Sequence, residues 1–453
     1  MVDIFDSKNG RIKVGLYGLG KSNLGVLELL RSRASAFELT LRSDDPISAD
    51  VGADRCFFGR SAMDFIDEDI IFLSPSVRRD RPQIIRARDR GTVISSDTEL
   101  FLSQFHGPLY AVTGSDGKST TTYLISQMLT ISGVPATAAG NYGRSLAALI
   151  DTDAAVVAEL SSFQLQYTEP ASHSAVITNI TPNHLNWHTS LDEYVGAKMN
   201  IKKHADRLTA DIDGELLRTA LQSDRLFAAV STKISYPEIS AACDAENYLT
   251  YKGGTVYLNG SPYFSAADAK RREEYNVKNY MLAAAATLGK AHPSAITEVI
   301  NGFGGLPHRA ERIASDGGIT YINSSIDSTP ERTLKTLGAL DGRIAVIICG
   351  EGKGLPLDTL AHKLPSLTVG AALMGPIGRE LYGLLARDEG GYRFAYADGM
   401  AEAIALCESY LNGAGTVVLS PAATSFDRYK NFEHRGTDFK GAVAAHLKSK
   451  HKG

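Results

Sequence analysis

The sequence predicts an α/β protein made of three consecutive α/β domains. Three observations point there. The chain has 453 residues, enough for three units of about 150 residues each. Short apolar runs alternate with helical patterns along most of its length, the signature of βαβ units on parallel sheets. Its 42 glycines fall repeatedly just after apolar runs, where strand ends turn toward ligands.

Taken in order, strands are expected at 12–17, 37–41, 69–73 and 92–95, with a helix at 23–33 between the first two. A second region opens near Phe101, with a strand at 109–113, a helix at 118–131 and strands at 154–158 and 175–180. Residues 211–266 are polar with short β-like pieces such as 255–258, and Ala-rich 280–288 reads as a buried helix. The third region starts near Gly305, with strands at 319–323, 344–349, 371–374, 394–397 and 417–419. One of its helices has a clear start, Thr329 as N-cap with Pro330 behind it. The expected domains are 1–100, 101–304 and 305–453.

Composition excludes several classes. Lys plus Arg is 47 and Asp plus Glu is 51, a net charge of −4, which gives no reason to expect a polyanionic partner such as nucleic acid. Hydrophobic residues are 43% and charged residues 22%, too apolar for a disordered chain. Four scattered cysteines form no C-x-x-C pair, so neither a zinc site nor a disulfide framework is indicated. No secretory leader is read at the start, and no apolar run approaches the roughly 20 residues that span a bilayer. A cytoplasmic monomer without a membrane partner is expected.

The strongest local signal is residues 111–120, Ala-Val-Thr-Gly-Ser-Asp-Gly-Lys-Ser-Thr. A strand runs into a glycine turn and Lys-Ser-Thr opens a helix. Gly114, Ser115, Asp116 and Gly117 would aim backbone N–H groups at an anion, the helix end adds partial positive charge, and Lys118 adds a full one. Ser119 or Thr120 can offer a hydroxyl to Mg²⁺. This is a shortened phosphate loop: Val112 stands where the common motif has its first glycine. The turn Gly18-Leu-Gly-Lys-Ser-Asn23 starts like a dinucleotide fingerprint but lacks the third glycine.

These residues, together with Ser74-Pro-Ser-Val77, Ala139-Gly-Asn-Tyr-Gly143, Glu159-Leu-Ser-Ser-Phe-Gln-Leu165, Asn179-Ile-Thr-Pro-Asn-His184, Gly305-Leu-Pro-His-Arg309 and Leu419-Ser-Pro-Ala-Ala-Thr-Ser-Phe-Asp427 with Lys430-Asn-Phe432, resemble the Mur ligases of peptidoglycan synthesis, and most closely the branch that adds D-glutamate. The resemblance implies a Rossmann-like N-terminal domain, a P-loop-type central ATPase domain and a Rossmann-like C-terminal domain. It implies an ATP-dependent ligase: ATP phosphorylates the carboxylate of UDP-N-acetylmuramoyl-L-alanine, the amine of D-glutamate attacks, and phosphate leaves. Another ligase of the superfamily, a P-loop kinase or ATPase, and a UDP-precursor-binding protein that has lost catalysis remain as alternatives.

The resemblance also implies residue roles. Lys118, Lys198 and His184 would be catalytic. Gly114 to Thr120, Asn276, Asn279 and Arg309 would bind ATP. Ser119, Glu159, His184 and a carbamylated Lys198 would hold Mg²⁺. Lys21, Ser22, Arg42, Ser43, Ser74, Asn141 and Ser161 would meet the UDP substrate. Lys353, Ser425, Phe426 and Phe432 would form the D-glutamate pocket. Tyr275 replaces the family's usual His. The family's Asn-Asp-Ser-Lys-Ala-Thr is here Asn323-Ser-Ser-Ile-Asp-Ser328, so Ser324 and Ile326 stand where an Asp and a Lys are usual.

Overall fold

The structure is a computed structural model describing residues 12–33, 37–44, 47, 51–223, 232–235, 246–352, 355–387 and 391–451. The chain forms two compact units, Met1–Phe303 and Gly304–Gly453. The first carries two large sheets and the second carries one.

The first sheet has the order Arg55–Phe58, Phe37–Ser43, Ile12–Tyr17, Ile70–Leu73, Val93–Ser95, all parallel. Chain direction across the sheet reverses between Ile12–Tyr17 and Ile70–Leu73, so ligands are expected at the carboxyl ends of those two strands. Gly18 turns the chain there at φ +77°, and a Cβ on it would meet the Ser74 hydroxyl at 2.6 Å. The helix Lys21–Arg33 follows. Its buried face, Val26, Leu27 and Leu30, shares one apolar core with Leu146 and Ala147 of the next sheet's connections. That shared core explains why two sheets make one compact unit.

Among the described residues the central sheet has nine strands. Seven are parallel, from Asn247–Lys252 at one side through Thr232–Ser235, Leu208–Asp211, Ser174–Ile177, Leu109–Thr113 and Ala155–Glu159 to Ala136–Gly140. Its inner strands, such as Leu109–Thr113, are buried along their whole length, as strands covered on both faces must be. The polar stretch 211–266 supplies an antiparallel extension, Asn247–Lys252, Thr255–Leu258 and Ser261–Ser265. Its tight glycine turns and half-polar strands hide the two-residue period in the sequence. Helix Glu274–Ala286 packs beside Lys118–Ile131, its alanines permitting a close approach.

In the second unit a hairpin, Glu311–Asp316 with Ile319–Asn323, continues into the parallel strands Gly415–Ala422, Ile344–Cys349, Gly370–Leu373 and Phe394–Tyr396. Helix Pro330–Gly338 starts as its sequence dictates: the Thr329 hydroxyl accepts from the Arg332 N–H. Among the described residues no helix is long and apolar enough to cross a membrane.

Candidate functional site

The phosphate loop follows from backbone constraints. Gly114 sits at φ +148° and Gly117 at φ +79°. A Cβ on Gly114 would lie 1.8 Å from the Thr178 hydroxyl, and one on Gly117 would lie 2.4 Å from Asn279 Oδ1. Only glycine fits either position. The segment after the strand Ser174–Ile177 clamps the loop from outside. Ser115 N–H donates to Asn179 O (2.9 Å) and Asp116 N–H to Asn179 Oδ1 (3.0 Å). The Thr178 hydroxyl donates to Asp116 O (2.6 Å). Ser115 Oγ accepts from Thr181 N–H (2.9 Å) and lies 2.6 Å from the Tyr194 hydroxyl. Thr178, Asn179, Thr181 and Tyr194 are thus loop-holding residues that sequence reasoning did not single out; it took only His184 from the motif at 179–184.

Two ammonium groups converge on one oxygen. Lys118 Nζ donates to Gly114 O at 2.9 Å and to Ser115 O at 2.8 Å. Lys198 Nζ donates to the same Gly114 O at 2.7 Å, from a side chain only 2% exposed. Burial, and then Lys118, hold the Lys198 ammonium well below the ordinary lysine range, while Glu159 and Asp116 oppose the shift. Glu159 ends its strand, is buried, and has an Oε2 with no hydrogen-bond partner. An ionised oxygen left bare in the interior is costly, and a hard cation would satisfy it. Ser119 is buried in the same helix turn and Thr120 is half-buried. Among the described residues no three His, Cys, Asp or Glu side chains form a metal-binding group, so any cation here needs a hydroxyl, a modified lysine or phosphate oxygens as well.

His184 is exposed, at φ +56°, with its ring edge-on to Phe163 at 5.0 Å. It leads an aromatic cluster of Phe163, Trp187, His188 and Tyr194. His188 is buried, its Nε2 is 2.9 Å from the Ser162 hydroxyl, and burial pushes it down to about 4, so it is neutral at ordinary pH. A clasp joins this segment to the first sheet. Arg78 binds the Glu193 carboxylate (3.1 Å) and Trp187 O (2.8 Å) and stacks over the Trp187 ring, whose Nε1 donates to Ser76 O (2.7 Å). With Thr189 adding further hydrogen bonds, Glu193 is held down at about 2.

Asn279 accepts from the Thr121 hydroxyl (3.3 Å) beside the loop, and Asn276 donates to Glu273 (3.0 Å) one turn earlier in the same helix. Tyr275, next to them, is exposed.

Of the expected UDP contacts, Lys21 and Asn141 meet. Lys21 Nζ reaches Asn141 O (2.9 Å) and Gly143 O (3.1 Å), and Ser22 hydrogen-bonds to buried Asp97. Ser74 donates to Tyr17 O (2.8 Å) and lines a cleft with Pro75, Arg79, Phe163 and Tyr167. The Ser161 side chain is occupied differently from expectation. It caps the short helix Ser162–Leu165 in a reciprocal pair with Gln164. Arg42 is a correction. It is 1% exposed, and its guanidinium is consumed by Glu68 (2.9 Å), Ala62 O and Phe65 O, so it braces the sheet rather than facing a ligand. Ser43 ends the same strand, paired with Phe58.

The remaining expected residues lie in the second unit. Arg309 is exposed between His308 and Ala310, both at positive φ (62° and 44°), a strained pair of the kind that persists where a side chain must be aimed. Ser425 is buried, Phe426 is 70% exposed, and Phe432 packs edge-on to His308. Lys353 lies outside the described residues. At the departure from the family pattern, Ser324 Oγ accepts from Ala310 N–H (3.2 Å). Buried Asp327 accepts from the Thr336 and Ser420 hydroxyls (2.8 Å each), while Ile326 is half-buried.

Residues 112–287 match the Mur ligase middle domain. The UDP-N-acetylmuramoylalanine–D-glutamate ligase of Ruminiclostridium cellulolyticum is 32% identical, over 97% of this chain and 97% of its own. That of Symbiobacterium thermophilum is 33% identical, over 96% and 98%. Among solved structures, the UDP-N-acetylmuramate-alanine ligase MurC of Thermotoga maritima covers 97% of this chain and 100% of its own at 19% identity, with a TM-score of 0.59. The MurF ligase of the same organism, in complex with ADP, covers 99% and 98% at 14% identity, with a TM-score of 0.51. These two establish the shared fold.

Proposed function

The chain belongs to the UDP-N-acetylmuramoylalanine–D-glutamate ligase family of Mur ligases, and on that premise we propose that it joins D-glutamate to UDP-N-acetylmuramoyl-L-alanine in peptidoglycan precursor synthesis, at the expense of ATP. The observation that carries this reading is the loop at 114–120, where two lysines meet on one carbonyl beside a bare glutamate oxygen. Such a site offers cationic groups to phosphate and a carboxylate oxygen to a cation.

The Ser115 and Asp116 N–H groups are taken by Asn179, so it is the N–H groups at the helix start, from Gly117 to Thr120, that bind and orient the terminal phosphates together with Lys118. Lys118 counters the charge that moves as the substrate carboxylate becomes an acyl phosphate. Asn276 and Asn279 face the adenine, and Arg309 is a further ATP-binding residue. Lys21, Ser22 and Ser74 hold the UDP moiety, with Asn141 and Ser161 near its acyl end. Lys353, Ser425, Phe426 and Phe432 hold D-glutamate. Glu159, Ser119, His184 and Lys198 would hold Mg²⁺, which when bound offsets phosphate charge. Lys198 is buried against Lys118, which favours its neutral amine. That amine adds CO₂ with loss of a proton, giving a carbamate whose oxygens suit the same ion. We place the enzyme in the cytoplasm as a monomer.

Phosphate release is measured with ATP, UDP-N-acetylmuramoyl-L-alanine and D-glutamate, omitting each in turn. Turnover requires all three, and L-glutamate does not substitute. Release without an amino acid would make the protein an ATPase instead.

A further inference from the structure

Arg435 is 0% exposed. Its guanidinium touches three separate segments at the carboxyl ends of adjacent strands. Nε donates to Ser325 Oγ (3.0 Å), and Nη2 to Ser325 O (2.8 Å) and Ala423 O (3.1 Å). Nη1 donates to Cys349 O (3.3 Å) and Thr424 O (3.0 Å). Every acceptor is neutral. Among the described residues no carboxylate comes within ion-pair distance of it, although an arginine stays charged in any protein environment.

The residues it fastens adjoin those assigned to the amino acid. Thr424 O accepts from Arg435 and also from Glu351 N–H (3.0 Å), so the segment leading to Lys353 is tied to the one leading to Ser425. Ser325 donates onward to Phe432 O (2.8 Å). The following residue, Gly436, has the His308 ring where a side chain would be, and its carbonyl accepts from Asn323 Nδ2 (3.0 Å). Burying a lone cation is expensive and is tolerated where something answers it. Carboxyl ends of parallel strands are where α/β sheets bind ligands.

We infer that Arg435 is a positioning residue for the amino-acid substrate: it locks the turns at 323–325, 349–351 and 423–425 into one geometry, and its unpaired charge draws a dicarboxylate to them. This rests on the D-glutamate reading above. All its N–H groups are used within the protein, so it acts through the turns and through its field, not by contact.

The test compares Arg435→Met and Arg435→Lys with the unaltered protein, measuring the KM of each substrate by phosphate release. Arg435→Met should raise the KM for D-glutamate by roughly tenfold or more, because five acceptors lose their donor and the field is lost. The KM values for ATP and the UDP substrate should stay within about twofold. Arg435→Lys keeps the charge but not the fork, and should fall between. If Arg435→Met does not fold, the split in Arg435→Lys decides. The inference is overturned if all three KM values rise together, if only the melting temperature changes, or if Lys is no better than Met. Absence of D-glutamate-dependent release in the unaltered protein would instead overturn the functional reading.

Discussion

Replacing Lys198 by Ala separates a metal-site lysine from an ordinary buried one. In the unmodified state both ammonium groups reach Gly114 O, at 2.7 and 2.9 Å, so they lie no more than about 6 Å apart. At an effective dielectric constant near 20 their repulsion is about 3 kcal/mol. A neutral amine escapes that penalty, and burial together with Lys118 favours it. The proposed carbamate would change the sign of the interaction, make Lys118 a partner and offer oxygens to a hard cation. Lys198→Ala should therefore lose turnover by about 10²- to 10³-fold, the scale of one preorganised electrostatic group, with no fall in melting temperature. Acetate, which fits the vacated space and restores a carboxylate, should recover part of the rate. Lys198→Arg should not respond, since its cation still fills the site. Carbon-13-labelled bicarbonate should give a carbamate signal in the wild type that is missing from Lys198→Ala. Full activity of the Ala variant without additive, or no labelled signal, would refute the reasoning.

Lys118→Ala should reduce turnover by about 10²- to 10³-fold while the circular dichroism spectrum and melting temperature hold; near-normal phosphate release would remove the loop from the mechanism. Arg42→Met takes the nearest cation from the buried Glu68 carboxylate, leaving it Arg55 at 3.7 Å and the Asp67 N–H, and should cost up to roughly 3–5 kcal/mol of unfolding free energy in urea titration. The KM for the UDP substrate should change little, whereas a large KM effect in a stable variant would return Arg42 to the ligand site. His188 is held neutral by burial, at about 4 against an ordinary 6.5. Its depressed value means that the unfolded chain takes up the proton first. Stability should fall as pH drops below 6.5 and level off near pH 4, and His188→Gln should flatten that limb in chemical denaturation at a series of pH values.

The parallel strands were readable because they are buried on both faces and spell nearly continuous apolar runs, as at Leu109–Thr113 and Ile344–Cys349. The phosphate loop was readable because its constraint is local: glycine, lysine and hydroxyl within one turn. What stayed hidden depends on partners far along the chain. Nothing near Arg42 in sequence announces that Glu68, 26 residues away, will consume it. That Ser161 and Gln164 cap a helix together is seen only in the fold. Arg435 sits in an exposed-looking helical stretch, and its acceptors come from turns up to 110 residues away. Polar residues declare their type in sequence, but their occupancy only in three dimensions.

The clasp of Arg78, Trp187 and Glu193 bears on how separable the pieces of this molecule are. It fastens the 76–80 turn of the first sheet to the 184–193 segment that carries His184. A chimera that exchanges the first sheet for a relative's would leave Trp187 without its cation and Glu193 without its fork. The two segments therefore need to be transplanted as a set, and natural variation at one should be matched by variation at the other.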